Sequence, residues 1–475
     1  MGHLLSSIPL GVVFAIIYSV SISAQELKLT LDQVEHASRQ ALIGQNYQLA
    51  NRLSFDILQI DPNNVSALVV RAATDPQLGN PKTGGQAGRR AFALAKDPLL
   101  KFEAAYFTAI AAAQRDKFAS AKLWLRRAHQ FAPNDVTREN TAQQFRLLRA
   151  RDPLQVRLSF TINQTSNING GSESEFLEID GIPITGALSQ TAQALSGIRV
   201  STGVQLNYKL HEDQRQRTSL GFSIHSNNHI FSSSAKAAIK TERQQLIDAG
   251  FTNLPDITRA SDFDSLVAEV SISHRRVPSR IYQPDGYSFG IGTTLYGGSK
   301  LYDFVRFNVE RTVTLTPKFA LQIAIGTTKL FHDVGARNQS INRVAFTSLY
   351  GLKNGSVVRA GFEFAQSSSD DTNRQYVTQA ISLNYQFAEA FGPVKLDMGV
   401  RIGTTKYDAY FIGITTVPGG RSDDFGTLTL GATFPNVRVY GFNPRVSTQY
   451  RRTKSNISRF EQRDWSYNIG IISSF

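Results

Sequence analysis

The sequence predicts an N-terminal α-helical domain of tetratricopeptide-like repeats, followed by a 14-stranded antiparallel transmembrane β-barrel. Three observations predict this α + β membrane protein. Residues 25–152 carry apolar residues at helical spacing and repeat themselves. From about residue 153 onward, the apolar period changes from helical to two. The alternating segments continue to Phe475 and number 14, an even count of the kind found in closed single-chain bacterial barrels.

The composition excludes several classes of protein. The chain has 475 residues, enough for two or three domains, and it has no cysteine, which excludes disulfides, thiolate metal sites and cysteine nucleophiles. The mean hydropathy of −0.21 would suit a soluble protein, but a barrel also has such values because only alternate residues face lipid. The net charge of +13 indicates either an anionic partner or surface to which the protein binds, or positive charge that is scattered over its own solvated surface. Without a basic helix or zinc spacing we expect no nucleic acid, and we expect outer-membrane lipid and lipopolysaccharide as partners.

Residues 1–24 have the pattern of a signal peptide. An apolar run from Leu10 to Val20 is followed by small residues and by Ala24 at the expected cleavage point. The segment before the run departs from the pattern, because it holds His3 and no Lys or Arg. No cysteine follows Ala24, so we expect an exported mature chain that is not lipidated at its N-terminus.

The helical segment contains an internal repeat. Its residues Pro62, Pro98 and Pro133 lie 36 and 35 residues apart. At an offset of 71 residues the two outer copies match position by position: Tyr47 with Phe118, Ala50 with Ala121, Leu53 with Trp124, Pro62 with Pro133, and Asn63 with Asn134. A period near 34 with an aromatic residue, a small Ala and a closing Pro resembles tetratricopeptide repeats.

The repeat has a physical rationale and a functional one. Ala50 and Ala121 would let two helices approach closely, and each Pro would stop a helix because it lacks an N–H. Stacked helix pairs form a concave surface suited to holding a protein segment. The alternative is a plain helical spacer beside the barrel. The pair Asp152-Pro153 then breaks the helical pattern.

The C-terminal segment shows the strand pattern most clearly. Its apolar face holds Trp465, Tyr467, Ile469, Ile471 and Phe475, and its other face holds small polar residues. An apolar face outward and a small polar face inward is typical of a lipid-facing barrel strand. The alternation recurs in the segments 287–295, 319–326, 358–364, 377–387 and 428–434. Polar faces of Gly, Ser and Thr, with aromatic residues near strand ends, favour a membrane barrel over a soluble sheet.

The connections predict the orientation of the barrel. We expect strands to begin near residues 155, 197, 217, 263, 286, 302, 318, 341, 356, 374, 393, 424, 437 and 460. With the helical domain in the periplasm, the long connections 167–196, 226–261, 407–421 and 452–459 are external, and turns such as Thr316-Pro317 and Asn354-Gly355 are internal. Two connections depart from this rule: His274–Asp285 is long and internal, and Gly297–Lys300 is short and external.

One external connection contains a stretch, Ala235–Ala249, that is predicted to be helical. It would form a lid over the barrel mouth or a surface helix.

No motif in the sequence points to catalysis. Among the eight histidines only His225 and His229 lie close, at i,i+4, and a strand does not bring such side chains together. There is no GxSxG and no phosphate-binding loop. The doublets Asp370-Asp371 and Asp423-Asp424 would bind calcium or form solvated turns. We therefore expect no enzyme, and no catalytic, cofactor-binding or metal site.

Several charged residues fall on the inward face of the predicted strands. Arg306 and Glu310 share one strand, Arg359 and Glu363 share another, and Lys395, Asp397 and Arg401 share a third. An inward charge needs water or a partner of opposite sign. The lumen is therefore a polar conduit, a space closed by ion pairs, or an ordinary solvated wall. Arg275, Arg276 and Arg280 in the long internal turn would contact lipid phosphate, the helical domain or solvent.

The order of parts resembles the surface lipoprotein assembly modifier family. The most specific piece is Ser166-Asn167-Ile168-Asn169 at the end of the first strand, continued by Gly170-Gly171. The resemblance implies that the protein helps to move lipoproteins, or unlipidated secreted proteins, across the outer membrane. It carries over no residue-level site. The short helical domain and the signal segment without basic residues depart from the family.

Three functions are compatible with this sequence. The first is a translocator, a monomeric barrel in the bacterial outer membrane whose helices hold a client lipoprotein or secreted protein. The second is a polysaccharide exporter, which should line its lumen with aromatic residues; here only Tyr296 and Phe304 are inward aromatic exceptions. The third is a structural or adhesive barrel, whose external loops should be its elaborate part.

Overall fold

The computed structural model describes residues 29–252, 256–278, 280, 282–437, 439–440 and 442–473. The predicted signal peptide and the terminal Phe475 lie outside these residues. Seven described helices precede the barrel: α1 (Leu31–Ile43), α2 (Tyr47–Ile60), α3 (Val65–Gln77), α4 (Pro81–Leu94), α5 (Pro98–Ala113), α6 (Phe118–Phe131) and α7 (Asp135–Arg151). None of the described helices is long and apolar enough to cross a membrane.

The seven described helices pack one after another along the chain. Each helix packs on the next one, and α1, α3 and α5 also contact one another. Ala50 and Ala121 are fully buried, as expected of small residues at close helix contacts. Pro62 and Pro133 follow the ends of α2 and α6, whereas Pro98 is the first residue of α5, where a missing N–H costs nothing. The prolines therefore set the boundaries between helices, as the sequence predicted.

The barrel consists of fourteen antiparallel strands and is closed. Numbered along the chain, its strands are β1 (Leu154–Thr165), β4 (Gly197–Glu212), β5 (Gln216–Phe231), β6 (Ser265–Arg276), β7 (Gly286–Tyr296), β8 (Ser299–Thr316), β9 (Phe319–Phe331), β10 (Gln339–Gly351), β11 (Val357–Ser369), β12 (Tyr376–Phe391), β13 (Val394–Tyr407), β16 (Arg421–Thr433), β17 (Phe442–Ser455) and β18 (Gln462–Ser473). Each begins close to its predicted position, because alternation of apolar residues is a direct consequence of having two different faces.

The connections divide into a long-loop end and a short-turn end. The three longest connections, 166–196, 232–264 and 408–420, lie at the same end as 456–461, which confirms the predicted asymmetry. At the other end, 277–285 and 434–441 are longer than 456–461. Two of the three longest connections contain a small hairpin that alternation alone did not reveal. In 166–196, β2 (Phe176–Ile179) pairs with β3 (Ile182–Ala187), and in 408–420, β14 (Phe411–Ile412) pairs with β15 (Thr415–Thr416). The predicted helical stretch is α8 (Ser233–Asp248), but β5 continues past the predicted loop start at 226.

The outer surface of the barrel is apolar. Large side chains such as Ile325, Ile381 and Ile402 are about half exposed although they belong to a folded sheet. Aromatic side chains such as Tyr208, Tyr350 and Trp465 are exposed on the same surface. An exposed apolar wall is stable only when lipid covers it, so the wall itself indicates a membrane-spanning barrel.

The closed barrel has a short described ladder at its seam. β1 pairs with β4 along its whole length, from Leu154 to Thr165. With β18, the other strand at the seam, its described pairing covers only Thr161–Thr165, opposite Ser466–Gly470. Residues Leu158–Phe160 and Ile471–Ser473 would be the next partners, yet they form no ladder. The seam is therefore held mainly near the long-loop end.

Candidate functional site: the lumen and the two ends of the barrel

The lumen is polar. A cavity of about 630 Å³ lies against the inner wall formed by β1, β4, β12, β13 and β16–β18. With few exceptions, the side chains that line it are amides, hydroxyls and charged groups. These polar residues are Asn163, Asn167, Arg199, Ser382, Asn384, Arg401, Thr427, Thr429, Gln449, Arg451, Gln462, Asp464 and Ser466. Such a wall can hold water or a polar chain segment and offers no apolar ligand site.

Several inward charges form ion pairs with neighbouring strands. Glu363 on β11 lies 2.7 Å from the Arg343 guanidinium and 3.5 Å from that of Arg401. Asp397 on β13 takes two hydrogen bonds from Arg445 on β17. These pairs bind adjacent or nearly adjacent strands across the inner wall, so this part of the lumen is both polar and cross-linked.

The other predicted inward charges are less uniformly paired. The Arg306 guanidinium lies 3.5 Å from Glu269, and Glu310 lies 3.2 Å from Arg275 at the short-turn end. Arg359 and Lys395 form no ion pair within the part of the chain that is described. Of the alternatives left open by the sequence, the wall is thus a polar surface with ion pairs in several places and free cations in others.

The inward aromatic residues are covered by arginine. Phe304 is buried on the inner wall, and the Arg306 guanidinium lies 5.2 Å from its ring centre. Arg401 lies 5.0 Å from the centre of the Phe425 ring in the same way. Tyr296 stands at the long-loop end of β7 and is partly exposed. The lumen therefore presents guanidinium groups where a sugar conduit would present bare rings.

The motif after the first strand forms a buried turn. The Asn167 side chain accepts a hydrogen bond from the Gly171 N–H and donates one to the Gly171 carbonyl, both at 2.8 Å. Asn169 makes similar bonds with the backbone at Gln193 and Leu195. A Cβ on Gly171 would lie 2.1 Å from the Gln193 carbonyl oxygen, so only glycine fits there. The motif therefore folds the first long connection back across the barrel end.

Three long connections pack together into one structure, called here the loop cap: residues 166–196, 408–420 and 456–461. Ile179 forms a bridge with Ile457, and both are buried together with Tyr410 and Val417. The Ser458 hydroxyl donates to the Phe176 carbonyl at 2.6 Å. Hydrogen bonds and an apolar cluster thus join connections that lie far apart in sequence, and they hold the cap over the β1–β18 seam.

An arginine fixes the base of the loop cap. The Arg421 guanidinium makes two hydrogen bonds with Asp423 and lies 3.3 Å from the centre of the Phe460 ring. The predicted calcium doublets have other roles: Asp423 is buried in this pair, and Asp371 pairs with Arg374 at 3.3 Å. Within the described residues no group of acidic or histidine side chains is arranged to hold a metal ion.

Helix α8 lies on the second long connection and packs against the first. Ala235 and Ile239 share an apolar cluster with Ile168, Leu195 and Phe231. The Glu242 carboxylate accepts a hydrogen bond from the Gln190 N–H at 2.9 Å. Of the two predicted roles, lid or surface helix, these contacts favour a helix that supports the loop cap.

The two neighbouring histidines of β5 do not form a site together. Both point inward, about 13 Å apart at the spacing of an extended strand. His229 lies 3.2 Å from Asp264 and 3.2 Å from the Arg199 guanidinium, whereas His225 packs beside Gly203. The expected lack of contact between them is confirmed.

The helical domain contacts the short-turn end of the barrel. Arg126 of α6 donates to the Tyr440 carbonyl at 3.2 Å and stacks 4.2 Å from the Phe442 ring centre. The Gln130 side chain accepts from the Tyr440 N–H at 3.0 Å. Burial at this contact, together with the positive charge of Arg149, lowers the pKa of Arg126 to about 10. These contacts position α6 against the β16–β17 turn.

Asp152 connects the helical domain to the first strand. Its carboxylate is buried, lies 2.6 Å from the Lys122 ammonium, and accepts a hydrogen bond from the Leu154 N–H at 2.9 Å. Lys209 on β4 also donates to the Ala150 carbonyl. The break predicted at Asp152-Pro153 is thus a fixed junction between helix and strand.

The basic internal turn contacts its own rim of the barrel. Arg275 pairs with Glu310, Arg276 donates to the Pro284 carbonyl at 3.3 Å, and Arg280 donates to the Tyr282 hydroxyl. The expected contact with the helical domain is not among the interactions of these residues. Contact with lipid phosphate stays a prediction.

A basic groove lies on the helical domain, and sequence patterns did not single it out. It has a volume of about 370 Å³ between α4, the end of α5 and the start of α6. Small residues such as Gly85 and Ala111 form its floor, and Lys82, Arg89, Arg115 and Lys117 surround it. None of these four cations has an ion-pair partner in the described part of the chain. The groove is therefore a concentrated positive potential.

Comparisons with known proteins match the architecture only distantly. No protein-family profile matches the sequence, and no curated protein matches it significantly. The type III secretion translocator chaperone SycD of Yersinia enterocolitica shows 12% identity and a TM-score of 0.23, covering 26% of this chain and 88% of its own. OmpT of Vibrio cholerae, with loop L8 deleted, shows 12% identity and a TM-score of 0.31, covering 67% and 99%. A BenF-like porin of Pseudomonas fluorescens shows 8% identity and a TM-score of 0.35, and the match covers 67% of this chain and 98% of the porin.

A closed antiparallel barrel with an even number of strands, an apolar outer wall and a polar lumen is the architecture of bacterial outer-membrane proteins. The chain is therefore an outer-membrane β-barrel with a channel-like interior, and it carries a helical repeat domain at one end.

Proposed function

We propose that this protein is an outer-membrane translocator, and no enzyme, that assists the export or surface display of a client lipoprotein or secreted protein. The contact of α6 with the β16–β17 turn is the observation that carries the proposal. Short turns of bacterial barrels face the periplasm. A repeat domain fixed at that end stands where a client waits before it crosses the membrane.

The basic groove supplies the surface that holds the client. Four cations without counter-charges attract an anionic partner, and a groove with a floor of small residues admits an extended chain. The client therefore presents an acidic, extended segment to the helices. Charge reversal in the groove should weaken this contact without disturbing the helix packing, because Lys82 and Arg89 are exposed.

The barrel provides the route outward. Its polar wall suits a hydrated polypeptide, and the loop cap stands at the far end. The described β1–β18 ladder ends at Thr161, so the edge of Ser159–Phe160 that faces β18 has no described partner, although its other edge pairs with β4. A client strand could pair with such an edge, since backbone groups inside a membrane need hydrogen-bond partners.

Surface labelling of bacterial cells tests the proposal. Cells with the full chain are compared with cells lacking residues 26–152, and surface proteins are identified after labelling with a membrane-impermeant reagent. We expect one specific protein to disappear from the surface and to accumulate inside, while sugar export is unchanged. Unchanged protein display with a loss of surface sugar would instead identify a polysaccharide exporter.

Charge variants then test the groove. Lys82→Glu with Arg89→Glu should reduce client display several-fold, because repulsion replaces attraction. Arg52→Glu with Lys96→Glu makes the same charge change on the same domain, at exposed positions outside the groove, and should leave display unchanged. Equal display in both double variants would remove the groove from the mechanism.

A further inference from the structure

A cluster of cations lies on the outer wall of the barrel near the long-loop end. The alternation of β13, β17 and β18 directs Lys406, Arg452, Lys454 and Arg463 outward, in line with the exposed apolar residues of the same strands. Between β13 and β17, strand β16 directs the carboxylate of Asp424 outward among them. The four strands are consecutive neighbours in the sheet, spaced about 4.8 Å apart. The cluster therefore covers one compact patch of the lipid-facing surface.

The charges of this patch are not balanced from within the protein. Arg452 and Arg463 stand directly opposite each other in the β17–β18 ladder, an arrangement in which like charges repel. Arg463 pairs with Glu173 at 2.9 Å. Arg452, Lys454 and Lys406 form no ion pair with any described residue, although Asp424 is the register neighbour of Lys454. The patch therefore carries unpaired positive charge that an anion from outside the protein would neutralise.

The residues next to the patch place it at the level of a membrane interface. Tyr450 and Trp465 follow Arg452 and Arg463 toward the middle of the wall, and their ring centres are 4.5 Å apart. Exposed aromatic residues form girdles where the hydrocarbon region ends. The cations therefore lie at the depth of lipid headgroups, with apolar wall beneath them.

An apolar groove of about 560 Å³ opens beside the cations. Phe362, Ile381 and Ile402 line its lower part. Two cations, Arg452 and Lys454, and one acid, Asp424, stand at its upper edge. Gly426 lies in the outward row of β16, and its missing side chain leaves the dent, since an added Cβ would come no closer than 3.9 Å to Ile402. The site combines anion binding with a slot for a hydrocarbon chain.

We infer that this patch is a binding site for a phosphorylated glycolipid of the outer leaflet, the chemistry of lipopolysaccharide. The phosphates lie on Lys406, Arg452 and Lys454, and one acyl chain lies in the groove at Gly426. A lone phosphate would not use the groove, and a neutral lipid would not use the cations. The bound lipid also neutralises the repulsion between β17 and β18, which stabilises the barrel next to its seam.

Binding of lipid A to the purified full chain in detergent tests this inference by native mass spectrometry. Arg452→Gln with Lys454→Gln should weaken binding of diphosphorylated lipid A about thirtyfold, because each cation at the headgroup contributes roughly fivefold. Lys329→Gln with Arg337→Gln removes one Lys and one Arg elsewhere at the same end and should bind as the unaltered chain does. Each variant is accepted only if it shows the heat-modifiable migration of a folded barrel.

Two further arms make the result decisive. Gly426→Phe fills the groove, leaves every cation in place, and should also weaken lipid A binding. Dephosphorylated lipid A should bind the unaltered chain more weakly than the diphosphorylated form. The inference is overturned if the Arg452/Lys454 variant binds lipid A as tightly as its control, or if phosphatidylglycerol displaces lipid A at equal concentration.

Discussion

His332 illustrates how one side chain depends on its neighbours at the barrel mouth. It follows the last residue of β9, and its Nε2 accepts a hydrogen bond from the Arg374 guanidinium at 3.2 Å, which requires a neutral ring. Its ring also meets that of Tyr302 at 5.2 Å. Burial, and then the charge of Arg374, lower the pKa of His332 below its ordinary range. His332 therefore joins its own connection, 332–338, to that of Arg374, 370–375, only while its ring is uncharged.

Acidification should therefore loosen the connection 332–338. In the opened connection His332 binds a proton at the ordinary histidine pKa of about 6.5, whereas in the closed connection its pKa is lower. The contribution of His332 to the stability of the closed connection is therefore fully present above that pH and is lost as pH falls below it. A nitroxide at Ala336→Cys, in a chain without other cysteines, should become more mobile at pH 5 than at pH 7.5. The same label in His332→Gln should show no such change. An equal change in both proteins would contradict the role of His332.

At the scale of elements, the helical domain depends on one very close helix contact. A Cβ at Gly88 in α4 would lie 2.1 Å from the Thr108 hydroxyl and 3.1 Å from the Ala104 carbonyl, both on α5. One turn earlier, a Cβ at Gly85 would meet the Ala111 Cβ at 3.5 Å and the end of the Arg89 side chain at 3.7 Å, both ordinary contacts. Two buried glycines on one helix thus have different reasons to be glycine.

The two glycines should respond in opposite ways to alanine. Gly88→Ala should destabilise the helical domain by about 1–3 kcal/mol, because α4 and α5 must separate to admit the methyl group. Gly85→Ala should leave stability unchanged or raise it by up to about 1 kcal/mol, because alanine favours the helix. Urea titration of the helical circular dichroism signal of the full chain measures both. Equal stability of the two variants would show that the α4–α5 contact is not tight.

At the scale of the whole molecule, the seam is the weak line of the barrel. β1 and β18 share a ladder only beside the loop cap, where Ser166 also bonds to the Trp465 N–H and carbonyl. The cap crosses this line through the contacts of Ile179 and Ile457. The described contacts across the seam therefore lie in the cap and at the long-loop end of the ladder.

Engineered cysteines can map the seam, because the natural chain has none. Asn163→Cys with Asn468→Cys joins register partners in the paired part and should cross-link almost fully under mild oxidation. Ser159→Cys with Ile472→Cys occupies the same register two positions beyond the ladder and should cross-link far less. Gel migration before and after reduction gives both yields. Similar yields would mean that the ladder extends along the whole seam.

Much of the architecture could be predicted from local patterns. Period-two alternation located the strands, since a wall with lipid on one side and water on the other requires it. The proline spacing located the helix boundaries near Pro62 and Pro133. The hairpins inside the long connections escaped prediction because their strands have only two to six residues, too few to show a period of two.

The sequence by itself thus determined which residues face lipid, where strands and helices begin, and which barrel end carries the long connections. Only the tertiary structure decided which charges meet. Glu363 forms ion pairs with Arg343 and Arg401 on nearby strands, whereas Arg452 lies opposite Arg463 in the ladder instead of opposite an acid. The reason is physical: alternation depends on the medium at each residue, whereas an ion pair depends on the register between separate strands, which the pattern within one strand does not set.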